Sequence, residues 1–299
     1  MQDKPLNTVL IVGCGYIGRR VAALLVAEKY VVTGVVRSRD SANKLREAGV
    51  DVVCVDLDRL PDDPDWGCSE ADVFYFAPPP PSGDQDLRLQ AFLDSLRGKM
   101  TVRRLVYIST SAVYGDCHGA WITEDQALDP TTARGHRRLD AEQQLRDWCW
   151  SYKAQWVILR VPGIYGPGKL PLERLRKGWP VLRESDAPYT NRIHADDLAS
   201  ICVAAMRSRH CNTVYNVSDG HPGNMTDYFF RVADAAGLPR PPEVSREEAQ
   251  SVLSAGMLSF LNDSRRMDNS KLLDKLEIEL RYPGLDAGIE SCFPDAKNI

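Results

Sequence analysis

Thr8-Val9-Leu10-Ile11-Val12-Gly13-Cys14-Gly15-Tyr16-Ile17-Gly18 is the stretch that decides the fold. Its first five residues form a short apolar run of the kind a buried strand needs, and three glycines follow in the spacing G-x-G-x-x-G. Ile17, Val21, Leu24, Leu25 and Val26 then give a helical apolar face that runs to Lys29. Strand, glycine turn and amphipathic helix in that order make a dinucleotide fingerprint. The first glycine permits the tight turn, the second admits a pyrophosphate against the backbone, and the third lets helix and strand pack closely. The phosphate sits on the helix N-terminus, where free N–H groups and the helix dipole favour negative charge. Gly13, Gly15, Tyr16, Ile17 and Gly18 are therefore the first cofactor-binding candidates.

Short β-branched runs recur at 31–36, 50–55, 73–77, 105–109, 157–160 and 214–217, with amphipathic stretches at 41–48, 86–96, 132–150 and 197–207. Such alternation implies right-handed βαβ crossovers and an α/β fold with a doubly wound parallel sheet, the Rossmann arrangement. The texture changes at Gly166 and again near Gly220. Residues 1–167, completed by 191–219 and 268–299, are expected to form the dinucleotide-binding domain. Residues 168–190 and 220–267 are expected to form a small C-terminal substrate lobe over the sheet's carboxyl edge.

The end of the second strand selects the dinucleotide. An acidic side chain there accepts from the ribose 2′-OH, whereas arginine suits a 2′-phosphate. Here the residues are Val36-Arg37-Ser38-Arg39-Asp40. Arg37, Ser38 and Arg39 favour NADP(H) over NAD(H), against the alternative of a solvated basic loop, and Asp40 is the residue that would restore an NAD preference. Asp56 and Leu57, after the third strand, are placed at the adenine; Asp56 is equally suited to cap the turn before Asp58.

The 299 residues carry 37 Lys+Arg against 41 Asp+Glu, a formal net charge of −4, so nothing global holds a polyphosphate backbone and no nucleic-acid partner is expected. The eight cysteines are scattered without C-x-x-C or a Cys/His cluster at zinc spacing, which reads as reduced thiols and no metal site. No leader is evident at the N-terminus, and no apolar run approaches the roughly 18 residues of a membrane span. The expectation is a cytoplasmic protein with a small-molecule substrate and no membrane partner.

Five further segments carry a resemblance. They are 106–115 (Val-Tyr-Ile-Ser-Thr-Ser-Ala-Val-Tyr-Gly), 159–168 with its Tyr-Gly-Pro-Gly end, 193–199 (Ile-His-Ala-Asp-Asp-Leu-Ala), 215–217 (Tyr-Asn-Val) and 268–272 (Asp-Asn-Ser-Lys-Leu). In type and order the chain resembles the extended short-chain dehydrogenase/reductase superfamily, which includes nucleotide-sugar epimerases and dehydratases, and within it the atypical YeeZ group. The resemblance implies that Thr110 hydrogen-bonds the reacting oxygen, with Ser109 beside it among the cofactor contacts. It also implies that Pro162, Gly163 and Ile164 border the nicotinamide and that Ala77 and Pro78 line the central ribose.

One departure matters. The family's proton relay is Tyr-x-x-x-Lys on the long helix, with a glutamate four residues beyond the lysine; Glu142 matches that glutamate, which puts Arg134 and Arg138 in the two catalytic positions. A guanidinium is a donor only and cannot act as general base. His136, Tyr114 and Tyr165 are the candidate replacement acids. The arginine that clamps phosphate in nucleotide-sugar members, four residues before His194, is Thr190 here, and the nearest arginine is Arg192. His194 is expected to satisfy a loop backbone, and Trp148, Trp150 and Trp156 to pack. Arg134 and Arg138 form a like-charge i, i+4 pair, costing about 0.2–0.5 kcal/mol. Either they face phosphates or an anionic substrate, or they are solvated in an eroded site.

The resemblance implies an NAD(P)-dependent, epimerase/dehydratase-like oxidoreductase acting on a small carbonyl or sugar-type substrate. The alternative is a catalytically impaired NADP(H)-binding sensor or scaffold. The expected state is monomer or homodimer, the latter through Leu139, Leu145 and Trp148 on the long helix.

Overall fold

A computed structural model describes residues 7–253, 258, 261 and 263–293. Seven strands form one parallel sheet: β1 (Thr8–Val12), β2 (Val31–Val36), β3 (Asp51–Cys54), β4 (Glu70–Tyr75), β5 (Thr101–Thr110), β6 (Gln155–Val161) and β7 (Thr213–Asn216), in the order β7-β6-β5-β4-β1-β2-β3. Alternate residues of β1 face opposite cores. Val9 and Ile11 join one face with α1 (Tyr16–Ala27) and α2 (Arg39–Glu47), while Leu10 and Val12 join the other with α3 (Leu87–Ser95) and α4 (Ala133–Tyr152). Both faces of the sheet are covered, which is why its strands read as continuous apolar runs instead of an alternation. The strand order reverses between β1 and β4, and the crevice at their carboxyl ends is where such sheets bind ligands.

β5 begins earlier than its apolar run suggests. Arg103 pairs with Asp72 on β4, and Arg104 donates to Gln155 and to the carbonyls of Ala205 and Met206. These partners make charged residues acceptable in a central strand. After β6, α5 (Leu172–Arg176) leads to the strand Arg192–His194, then α6 (Ala195–Arg207) packs against α1. His194 caps α6, its Nδ1 accepting from the backbone N–H of Asp196.

The two insertions pair with each other: Tyr189–Thr190 with Gly223–Asn224, and Val181–Leu182 with Glu243–Val244. Leu175 and Val181 share a core with Tyr228, Phe229 and Val232 of α7 (Met225–Ala235). The short helix Leu285–Glu290, counted above with the Rossmann unit, packs instead on α7 and buries Ile289 in that core.

Expectations for Leu145, Trp148 and Trp150 on α4 need correction. Leu145 and Trp148 are buried in the chain's own core and offer no outer face for a second copy, while Leu139 is half-buried beside Val113 and Tyr114. Trp150 is 88% exposed, because two residues along a helix turn it away from buried Trp148, and it packs nothing of note. All eight cysteines are unpaired. Among the described residues no group of side chains could hold a metal ion, and no helix is long and apolar enough to cross a membrane.

Candidate functional site

Gly13 has φ +82°, and a Cβ there would lie 2.5 Å from the backbone nitrogen of Ala77, so only glycine turns the chain this tightly. A Cβ on Gly18 would sit 3.1 Å from Ile11, the close helix–strand approach the motif demands. At Gly15 nothing but Gly13 O lies within 4 Å, at 3.9 Å; this backbone faces open space at the start of α1. The three glycines thus leave a cradle for a pyrophosphate. Tyr16, Ile17, Arg37, Ser38, Arg138 and Ile164 also line the cleft.

Ser38 caps α2 by accepting from the N–H of Ser41, and its hydroxyl donates to Ser41 Oγ at 2.9 Å. Arg37, Ser38 and Ser41 line the cleft, but Arg39 does not. Arg39 is the first residue of α2, where the helical turn carries it to solvent, and Ser41 is the third side chain of this segment that lines the cleft. Asp40 is exposed and bonded to Lys44 at 2.8 Å, a partner that holds its carboxyl below the usual range. It lines no part of the cleft.

Beyond Arg37 the cleft continues into a chamber lined by Asp56, Leu57, Ala77 and Pro78. Asp56 also caps the turn, accepting from the N–H of Asp58 at 3.1 Å. Arg88 closes the chamber floor: it binds Asp58 through two bonds of 2.6 Å and donates to Pro78 O at 3.0 Å. Sequence reasoning missed Arg88, Ser41 and Lys169. Lys169 lines the cleft from the loop after β6, 5.2 Å from the Tyr16 ring centroid, while Tyr16 donates to Pro167 O.

A second cavity of about 580 Å³ opens on the other side of the β5 and β6 strand ends. Ile108 and Ile164 line the cofactor cleft, whereas Thr110, Pro162 and Gly163 line the cavity. Thr110 Oγ accepts from the N–H of Ala112 at 3.3 Å, which leaves the hydroxyl proton to donate elsewhere. Ser109 is not a cofactor contact. Successive strand residues point to opposite faces, and its buried hydroxyl donates to Glu142 at 2.7 Å.

Arg134 and Arg138 part company: Arg134 enters the cavity and Arg138 the cleft. Gly135 lets α4 approach this closely, since a Cβ there would lie 2.8 Å from Ala112 O. Arg138 donates to Tyr107 Oη at 2.9 Å and to Ile108 O at 3.1 Å. Burial opposes its charge, but Tyr107 and Asp86 more than offset that and raise its pKa. For Arg134 burial dominates and lowers the pKa, with Asp263 acting the other way.

None of the three proposed replacement acids lines either site. His136 is exposed on the far side of α4. Tyr114 donates to Asn216 at 2.6 Å and accepts from Arg160 at 2.9 Å, with burial pushing its phenol up to about 12. Tyr165 is buried in the lobe core. The cavity is lined by two other phenols, exposed Tyr189 and buried Tyr228 of α7. Burial outweighs the opposing pull of the Arg192 guanidinium, 3.7 Å above the ring centroid, and leaves the Tyr228 phenol pushed up to about 12. A Cβ on Gly163 would meet Arg192 Nη1 at 2.8 Å, so a glycine here makes room for that arginine. No motif announces Tyr228; only the fold carries it to the Thr110 end of the sheet.

The NAD(P)H-binding family profile matches residues 13–209. Protein YeeZ from Escherichia coli (strain K12) is 27% identical over 296 residues, covering 93% of this chain and 97% of that one. The structure of a functionally unknown conserved protein from Silicibacter pomeroyi DSS superposes with a TM-score of 0.84 at 30% identity, over 97% of this chain and 99% of the other. UDP-glucuronic acid 4-epimerase from Bacillus cereus, solved in complex with NAD, shares the fold at a TM-score of 0.74 and 18% identity, with the same coverage. The glycine turn, the strand order and these likenesses agree: the chain belongs to the NAD(P)H-binding family.

Proposed function

We propose that the protein is an NADP(H)-dependent, epimerase/dehydratase-like oxidoreductase that acts on a small carbonyl or hydroxyl compound in the cavity beside Thr110. The observation that carries this reading is the junction of the two spaces. Ile108 faces the dinucleotide cleft and Thr110, two residues on, faces the cavity, while Ile164 and Gly163 do the same on the neighbouring segment. A substrate there lies next to the end of the cleft opposite Arg37.

In this reading the Gly13 to Gly18 turn holds the pyrophosphate, and Arg37, Ser38 and Ser41 hold the 2′-phosphate. Asp56 and Leu57 border the adenine; Ala77, Pro78 and Arg138 border the riboses. The nicotinamide, when bound, supplies hydride-transfer chemistry. Thr110 donates to the substrate oxygen and favours negative charge as it develops there. Arg134, a donor only, orients the substrate. Tyr228 stays protonated at neutral pH and has a proton to give, and the guanidinium above its ring favours the phenolate left behind. A sensor without turnover is the second reading, favoured by the arginines at the relay positions of α4.

Two measurements test it. NADPH is expected to bind at least about tenfold more tightly than NADH, a margin of about 1.4 kcal/mol. Arg37→Ala is expected to erase that margin; a tenfold preference for NADH overturns the 2′-phosphate assignment. With NADPH and a panel of aldehydes and ketones, Thr110→Ala is expected to lower kcat by about 10²–10³, the usual cost of removing one donor to a developing oxyanion. Turnover unmoved by that change removes Thr110 from the chemistry, and tight NADPH binding with no turnover on any carbonyl favours the sensor.

A further inference from the structure

We infer that the cavity beside Thr110 is built for a small dianion, a 2-oxo or 2-hydroxy acid carrying a second anionic group. This deepens the reading above and rests on its placement of the substrate. Four arginines from four separate segments line the cavity, namely Arg134, Arg174, Arg192 and Arg265, against one carboxylate, Asp263.

That carboxylate is already committed. Arg265 donates to Asp263 at 2.6 Å, and its other nitrogens go to Gly115 O at 2.9 Å and Ser111 O at 3.1 Å; Thr131 takes the remaining Asp263 oxygen. Arg265 is thus a structural brace, and its charge is balanced. Arg174 lies over the rings of Trp179 and Phe229 and donates to Pro180 O at 2.8 Å, and its Nε is buried without a hydrogen-bond partner. Arg192 holds its guanidinium carbon 3.7 Å from the Tyr228 ring centroid, and among the described residues no carboxylate comes within ion-pair distance of it. Burial lowers the pKa of Arg134, Arg174 and Arg192 alike, and among the described arginines only Arg104 shares that direction. A guanidinium does not escape by losing its proton, so the fields of Arg174 and Arg192 are met by an incoming anion.

The number and position of these cations define the ligand. More than one uncompensated guanidinium calls for more than one anionic group, and the planar fork suits carboxylate or phosphate. Arg192 lies against Gly163, and Arg134 stands on the helical turn packed against Ala112, so both act at the Thr110 end of the cavity. An anion held there sits beside the oxygen that Thr110 binds, which describes an acid group next to a carbonyl or hydroxyl. Arg174, on α5 beside Phe229 of the lobe, serves the second group. That group is carboxylate or phosphate.

The test is calorimetric titration of the full chain, with and without saturating NADP⁺. The probes are 2-oxoglutarate, 3-phosphoglycerate, pyruvate, dimethyl 2-oxoglutarate and UDP-glucose. At least one of the first two is expected to bind tenfold or more tightly than pyruvate and the neutral diester, and which of them does so identifies the second group. Arg192→Met is expected to weaken that binding at least tenfold while raising the melting temperature of the ligand-free chain, since it removes a half-buried cation that has no carboxylate within ion-pair distance among the described residues. Arg192→Lys is expected to recover part of the affinity.

Equal binding of the diester and the diacid overturns the inference, as does tighter binding of UDP-glucose, which would make the recognised anion a diphosphate. A fall in stability for Arg192→Met with unchanged affinity also overturns it, assigning that arginine to packing. Failure of NADP⁺ to bind counts against the proposed function alone, because the anion preference is still read without it.

Discussion

Glu142→Leu is expected to destabilise the fold by about 3–5 kcal/mol, the cost of stripping one partner from a buried ion pair. Glu142 is fully buried on α4 and accepts four bonds: from Arg160 Nε at 3.1 Å and Nη2 at 2.9 Å, from Arg146 at 3.0 Å and from Ser109 at 2.7 Å. Arg160, on β6, is itself 2% exposed. Burial alone would disfavour its charge, yet the Glu142 carboxylate reverses that and raises its pKa. Arg160 passes the connection on to Tyr114, and Tyr114 donates to Asn216 of β7, so the network ties α4 to three adjacent strands. With Leu at position 142 the guanidinium keeps its charge and loses its counterion. At about 2–4 °C per kcal/mol, thermal unfolding is expected about 6–20 °C lower. The double variant Glu142→Leu/Arg160→Met is expected to recover much of the loss, because apolar replacement of a whole buried pair is often neutral or stabilising. A single variant within about 2 °C of the parent would show that the pair does not hold α4 on the sheet.

Gly15→Ala is expected to weaken NADPH binding about 10–100-fold while leaving stability within about 0.5 kcal/mol. The new Cβ meets nothing nearer than 3.9 Å within the protein, so the fold itself accepts it. It projects into the cradle and holds the pyrophosphate off the backbone N–H groups at the start of α1, where a charge-assisted bond contributes about 1.5–3 kcal/mol. Gly13→Ala is the contrast. Its Cβ would lie 2.5 Å from Ala77 N and 2.7 Å from Ala77 Cα at a φ of +82°, so both stability and binding fall. Fluorescence titration beside thermal unfolding separates the two, and full NADPH affinity in Gly15→Ala would put the dinucleotide somewhere other than this turn.

The part of the site legible in the sequence is the part built from consecutive residues. Gly13 to Gly18 follow β1 directly, and Arg37 and Ser38 end β2, so one strand and one turn place them. Errors arose one residue away from such anchors. Arg39 is lost to the first turn of α2, and Ser109 to the alternation of β5, because local direction depends on where an element begins. β5 itself starts at Thr101, which only the partners of Arg103 and Arg104 on neighbouring elements explain. The pairing of Glu142 with Arg160 likewise spans 18 residues and two elements.

By itself the sequence determined the doubly wound sheet and the dinucleotide turn, since each rests on periodicity or spacing within one short segment. Only the tertiary structure decided that Arg134 and Arg138 serve different spaces, and that Arg192 and Tyr228 pack together in the cavity that Thr110 also lines. Arg174, Arg192, Tyr228 and Arg265 come from separate insertions and strands, and no periodic pattern links them. Their convergence is a property of how the lobe folds back over the sheet, and it is this convergence that gives a chain of net charge −4 a cavity of concentrated positive charge.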